Sequence, residues 1–130
     1  MTDIRPTFHC FDDAIERLGE LVRAGHQPTL VHGICTGDDG EPYAHAWVED
    51  DGQVWDAGLI DGARVTYAVF VLDYRSAKRV GRTWRYTLLE VLHANREHGT
   101  YGPWVPELIA LCSRRHRIVA KVAATYEPDP

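Results

Sequence analysis

Residues 43–58 read YAHAWVEDDGQVWDAG. The stretch is two short runs of alternating character joined by Asp51-Gly52. Asp-Gly is the pair that a type I′ turn favours, because both central residues must adopt positive φ. With these two residues as the turn, Val48 faces Trp55, Trp47 faces Asp56 and His45 faces Gly58 across the hairpin. Side chains alternate between the faces of a sheet, so His45, Trp47 and Glu49 share a face with Val54, Asp56 and Gly58. Asp56 then lies diagonally across from His45, at roughly 5 to 8 Å between Cβ atoms. An imidazole with a carboxylate to orient it makes two members of a nucleophile–base–orienter set. The rest of the chain must supply the third.

Upstream, TLVHGIC, residues 29–35, reads as a strand interrupted by Gly33, followed by the polar turn segment TGDDGEP. Before that strand, Phe11, Ala14, Ile15, Leu18, Leu21 and Val22 recur at helical spacing and predict an amphipathic helix over 11–24. Asp12 and Asp13 fall in its first turn, where the macrodipole favours acids, and Gly25 stands at the C′ position. Residues 1–9 form a short lead-in that Pro6 keeps extended. Cys10 therefore sits at a helix N-terminus, where free amides and the dipole stabilise a thiolate.

Downstream, residues 59–63 read as a loop and VTYAVFVLD, residues 65–73, as a fourth strand. The C-terminal half reads as helical. Trp84, Leu88, Val91, Leu92 and Asn95 align on one face of a helix that Gly99 ends, Tyr101-Gly102-Pro103 is a turn, and 104–113 forms another helix with Pro106 in its first turn. Residues 116–125 fit strand or helix equally, and the EPDP tail is frayed. The fold class is α+β: an N-terminal helix packed on a small antiparallel sheet of three or four strands, with additional C-terminal helices.

The chain has 130 residues, enough for one domain with its own core. Hydrophobic content of 45%, charged content of 25% and a net charge of −5 are ordinary for a soluble globular protein. No basic stripe points to nucleic acid or to an anionic membrane surface, and Arg114, Arg115 and Arg117 suit a solvated helix end. No apolar run approaches membrane-spanning length, and MTDIRPTFHC lacks the apolar core of a signal peptide, so the expected location is cytoplasmic. Three cysteines, Cys10, Cys35 and Cys112, with no CxxC, argue against a disulfide framework or a structural zinc site.

Cys10 at a helix start, His45 on one strand and Asp56 on the next make a chemically complete set: thiolate, base and acid, and orienter. The order Cys, His, Asp and the helix-then-hairpin setting resemble the transglutaminase-like branch of the papain-like cysteine enzymes. The resemblance rests on CFDDA, on LVRAGHQPTLVHG (like the family's LLR-x-x-G-I-P-A run into a strand), on HAWVE as the His strand, and on VWD as the Asp strand. AHAWVEDDGQVWD also looks like the small transglutaminase-like peptidases that remove leader peptides in lasso-peptide maturation. The detailed match runs from Cys10 to about Gly58. It implies a core over 1–64, with 65–130 a strand plus a helical family-specific extension. It implies Cys10 as nucleophile, His45 as general base and acid, and Asp56 as orienter. The implied activity is hydrolysis or transfer at an amide or acyl bond of a peptide or small substrate, with no cofactor and no metal. No residue among 1–9 is an evident oxyanion-hole side chain, so the hole needs the Cys10 amide plus another donor, with His9 or His32 as candidates.

Other assignments compete. Cys35, on or just after a strand, and Cys112, within a helix, read as packing residues. Glu49 shares the face of His45 and is the second choice as orienter. His32 can face the same pocket or serve the core. His9, Cys10, His32, His45 and Asp56 can also be grouped as zinc ligands by type, though no spacing motif links them. A non-catalytic binding module with a relict triad is the third reading, with Trp47, Trp55, Trp84 and Trp104 as aromatic surface.

Overall fold

The computed structural model describes residues 9–114. Residues 1–8 of the lead-in, the 116–125 segment, Arg115, Arg117 and the EPDP tail lie outside these described residues. The order of elements is α1 (Cys10–Arg23), β1 (Thr29–Thr36), β2 (Pro42–Asp50), β3 (Gln53–Ile60), β4 (Ala63–Phe70), α2 (Val71–Lys78), β5 (Val80–Tyr86) and α3 (Leu88–His98). A further helical stretch covers 106–114, with Pro106 in its first turn.

Helix α1 forms where its pattern predicts. Phe11, Ala14, Leu18 and Leu21 are its buried stripe. Its end is a Schellman closure: Gly25 takes φ 90°, the Gly25 amide donates to Val22 O at 3.0 Å and the His26 amide to Leu21 O at 3.0 Å. The stripe packs on Leu30, Ala46 and Val48 of the sheet, and Val91 and Trp104 complete that core. The opposite face of the sheet carries a second core of Val31, Cys35, Trp47, Val54 and Tyr74. Alternation along β1 and β2 sends neighbours to opposite cores.

The five strands are antiparallel in the order β4-β3-β2-β1-β5. One strand more is present than the sequence reading gives. Trp84 lies on β5, which pairs with β1 from Leu30↔Tyr86 to Cys35↔Val80, and not on a helix with Leu88. The four-residue interval from Trp84 to Leu88 imitates a helical turn across a strand–helix boundary. Thr87 marks the real boundary: it accepts from the Glu90 amide at 3.3 Å and its own amide donates to Glu90 Oε1 at 3.0 Å, a capping box. The expected strand over 65–73 ends at Phe70, and Val71 opens α2 instead. The expected loop at 59–63 is a second tight hairpin, with Asp61 and Gly62 at φ 51° and 79° and Ile60 paired to Ala63.

The β2–β3 hairpin has the predicted turn, Asp51 at φ 49° and Gly52 at φ 76°. Its ladder is short. It holds Asp50↔Gln53, Glu49↔Val54 and Val48↔Trp55 and then stops. The expected facing of Trp47 with Asp56 and of His45 with Gly58 is thus not realised as ladder pairs. By contrast, β1–β2 pairs from Thr29↔Glu49 to Thr36↔Pro42, and β3–β4 from Gln53↔Phe70 to Ile60↔Ala63. The sheet is therefore two leaves, β4-β3 and β2-β1-β5, joined near the Asp51-Gly52 turn and parted beyond Val48 and Trp55.

Candidate functional site

Cys10 is the first residue of α1 and is half-buried, with His9 as the N-cap. No side chain caps this end. The Asp13 amide makes the first intrahelical bond, to His9 O at 2.7 Å. The amides before it have no acceptor within the helix, so they and the dipole face whatever lies at the N-terminus.

His45 lies on β2 where the two leaves part. Its Nε2–H donates to Asp56 Oδ2 at 2.9 Å. On its other side the imidazole is hydrogen-bonded to the Cys10 thiol. An imidazole has two ring nitrogens, so Nδ1 is the one left for Cys10. A continued β2–β3 ladder would fill the space between His45 and β3 with backbone hydrogen bonds. Its absence lets side chains meet there, so that Cys10, from the helix on one face, reaches a histidine whose strand neighbours line the other. Burial by itself pushes His45 down, but the hydrogen bonds to Asp56 and Cys10, with the charges of both, outweigh it and raise the imidazole to about 9.

Asp56 is buried and fully engaged. Oδ2 accepts from His45 and also from the Tyr74 hydroxyl at 2.8 Å, and Oδ1 accepts from the Ala57 amide at 2.8 Å. Burial opposes its ionisation. The His45 hydrogen bond and charge, the Tyr74 hydrogen bond and the Lys78 charge override that and hold the carboxyl below its usual range. The same burial and the Asp56 charge push the Tyr74 phenol up, so it remains a donor. Tyr74 was not legible in the sequence, because its helix follows a strand-like run without a cap signal.

Glu49, the second choice as orienter, is occupied elsewhere. It accepts from Trp47 Nε1 at 2.9 Å, from Arg75 at 2.9 Å and from Arg85 at 3.1 Å. It ties β2 to α2 and β5 and holds the Trp47 indole in place. Trp47 in turn packs its ring 5.8 Å from His45 and 5.3 Å from Tyr74. Gly33 makes this possible, since a Cβ there would stand 2.6 Å from Trp47 Cη2. The other tryptophans offer little open surface. Trp104 is buried, and the Arg17 and Arg82 guanidinium groups lie 3.9 Å and 4.8 Å over Trp55 and Trp84.

His32 faces the α1 side of the sheet, away from His45 and Asp56. It is fully buried, with ring centroids of Phe11, Trp104 and Tyr86 at 4.7, 5.0 and 5.1 Å. Neither ring nitrogen has a hydrogen-bond partner among the described residues, and burial lowers the group to about 3. It serves the core and is neutral at ordinary pH. His9 is exposed at the N-cap. The grouping of His9, Cys10, His32, His45 and Asp56 as zinc ligands fails on the placement of His32, and among the described residues no three His, Cys, Asp or Glu side chains gather as a metal site. Cys35 is buried, hydrogen-bonded to Tyr43 and raised to about 11, chiefly by burial. Cys112 is raised to about 11 by burial as well. Both remain thiols at neutral pH. No helix among the described residues is long and apolar enough to cross a membrane.

A family model, described as the transglutaminase-like superfamily, matches residues 3–71, more than half of the chain and further than the expected Gly58. No curated protein and no solved structure gives a match.

Proposed function

The chain belongs to the transglutaminase-like superfamily, and on that premise we propose that it catalyses thiol-dependent acyl transfer through Cys10, His45 and Asp56, with water as the ordinary acceptor. The reactive form pairs the Cys10 thiolate with the His45 imidazolium, which Asp56 holds. The Cys10 sulfur attacks the carbonyl carbon of an amide or related acyl group of a peptide or small substrate. The carbonyl pair moves onto oxygen, the tetrahedral oxyanion collapses, and His45 gives its Nδ1 proton to the leaving amine. Water then adds to the thioester, His45 takes its proton, and the acid leaves as the thiolate returns. No metal or cofactor is needed for this sequence. The observation that carries the reading is the double engagement of His45, bonded to Asp56 at 2.9 Å on one side and to Cys10 on the other. An imidazole raised to about 9 is protonated at neutral pH, as the acid of the first step must be.

The test is the pH dependence of alkylation at each cysteine, followed by mass spectrometry, in the wild type and in His45→Ala. Cys10 alone should react fast well below pH 8 and lose that advantage without His45. Cys10→Ala should abolish turnover and keep the fold. Turnover in that variant would refute the assignment. A Cys10 no faster than Cys35 or Cys112 would favour the binding module with a relict triad.

A further inference from the structure

The sheet ends in two edge strands, β5 and β4, which are defended differently. An open edge presents unpaired amides and carbonyls that another strand can use, and charged side chains or irregular pairing normally blunt it. β5 carries Arg82 and Arg85, and its pairing with β1 shifts register between Gly33 and Cys35. β4 pairs with β3 without a break from Ala63 to Phe70, and after Arg64 its sequence, VTYAVF, holds no charge and no proline. Backbone groups along a strand point alternately to its two sides. Ile60 and Ala63 close the Asp61-Gly62 turn, and at the far end the Val71 amide donates to Gly52 O at 3.2 Å. Ala63, Val65, Tyr67, Val69 and Val71 therefore turn their amides toward β3, whereas Arg64, Thr66, Ala68 and Phe70 turn theirs outward. The outward residues are all exposed. Large apolar side chains stand exposed at both ends of the row, Ile60 at the turn and Phe70 and Leu72 at the other end.

We propose that β4 pairs antiparallel with β4 of a second copy of this chain, about a two-fold axis at Tyr67, to make one continuous sheet across a homodimer. The register follows from the row itself. Centring on Tyr67 pairs the row end to end: Arg64 with Phe70 of the second copy and Thr66 with its Ala68, each pair exchanging amide-to-carbonyl hydrogen bonds. Any other two-fold register leaves one end of the row unpaired. On one face, half-buried Val65, Tyr67 and Val69 meet Val69, Tyr67 and Val65 of the second copy, close cross-strand pairs of β-branched and aromatic residues. On the other face, where Asp13 holds Arg64, the Phe70 ring of the second copy lies across from the guanidinium, a cation–π pairing made twice. The axis also brings the Ile60 end of each copy against the Phe70 and Leu72 end of the other. A second copy meets all of these features together. An unrelated extended segment would satisfy the backbone alone.

Sedimentation equilibrium of the purified chain should give twice the mass of one chain. Hydrogen exchange should find the Thr66 and Ala68 amides protected. Dilution should remove that protection and leave the β3-facing amides of Val65 and Tyr67 protected. Ala68→Pro deletes an outward amide that no bond among the described residues uses, once in each copy, and should raise the dimer dissociation constant by about a hundredfold. Ala68→Lys keeps the amide and sets a like charge beside Arg64 of the second copy, so it should weaken the dimer by about tenfold even if proline disturbs the strand. A monomeric wild type overturns the proposal: open Thr66 and Ala68 amides would leave the edge to a different chain, and protected ones would mean that another part of this chain covers it. A dimer that both variants leave intact overturns it as well, since the copies then meet elsewhere.

Discussion

His32 is fully buried and His45 mostly so, on adjacent strands of one sheet, and burial pushes both toward the neutral form. Their fates differ because of what surrounds them. His32 meets three aromatic rings and has no partner for either nitrogen among the described residues, so burial acts alone and takes it to about 3. His45 meets a carboxylate on one side and a thiol on the other, and rises to about 9. Burial makes a histidine inert. Partners on both nitrogens make it an acid and a base that a neighbouring sulfur can use.

The largest contrast should appear in reactivity. His45→Ala should slow iodoacetamide alkylation of Cys10 at neutral pH, and acylation by p-nitrophenyl acetate, by about a hundredfold to a thousandfold. His32→Leu should leave both within about twofold. A comparable loss in His32→Leu would break the comparison and return His32 to the site.

Asp56 and Glu49 offer the same contrast between two acids. Asp56→Asn removes the charge that holds the imidazolium, so the His45 pKa should fall and Cys10 alkylation at neutral pH should slow by about tenfold to a hundredfold. Glu49→Gln should leave that rate unchanged and lower the urea midpoint by the equivalent of about 1 to 2 kcal/mol, because Arg75, Arg85 and Trp47 lose their common acceptor. The reverse pattern would make Glu49 the orienter.

The two histidines should also pull stability in opposite directions with pH. His32 is depressed in the folded chain, so protonation favours the unfolded chain. Its contribution is intact above the ordinary value of about 6.5 and is lost as pH falls toward about 3. Between pH 6.5 and 5 the loss is about 2 kcal/mol. His45 is raised, so protonation favours the folded chain. Its contribution is complete below about 6.5 and is lost as pH rises through about 9, a loss of no more than about 3 kcal/mol. Urea midpoints across this range should show the acid limb flattened in His32→Leu and the alkaline limb flattened in His45→Ala. Unmoved limbs would mean that other groups govern the profile.

Much of this arrangement was legible in residue order. Alternation put His45 and Asp56 on one face, and Asp51-Gly52 set their register, although the ladder ends before reaching them. The same Asp-Gly signal at 61–62 fixes Tyr67 opposite Asp56, and reading it as a loop hid that pairing. What stayed hidden depends on tertiary geometry. Local sequence does not say that two strands of a hairpin part after three pairs. Yet that parting lets a helix residue from one face reach a histidine among residues of the other. Strand β5 was masked because an interval of four residues suits a helix, while Thr87 and Glu90 carried the boundary unnoticed.

The smallest expected effect tests whether the chain beyond the matched residues 3–71 belongs to the site. Tyr74, on α2, donates to the same Asp56 oxygen that His45 uses. Tyr74→Phe removes one of three donors to that carboxylate and keeps the ring against Trp47. With fewer donors the carboxylate is more basic and draws harder on the His45 proton. The alkaline limb of the Cys10 acylation profile should therefore shift upward by a few tenths of a pH unit, whereas Asp56→Asn should shift it downward. Stability should fall by about 1 kcal/mol. The opposed signs separate a donor that tunes the carboxylate from a residue that only fills space, since a packing defect at Tyr74 would lower stability and leave the limb where it is.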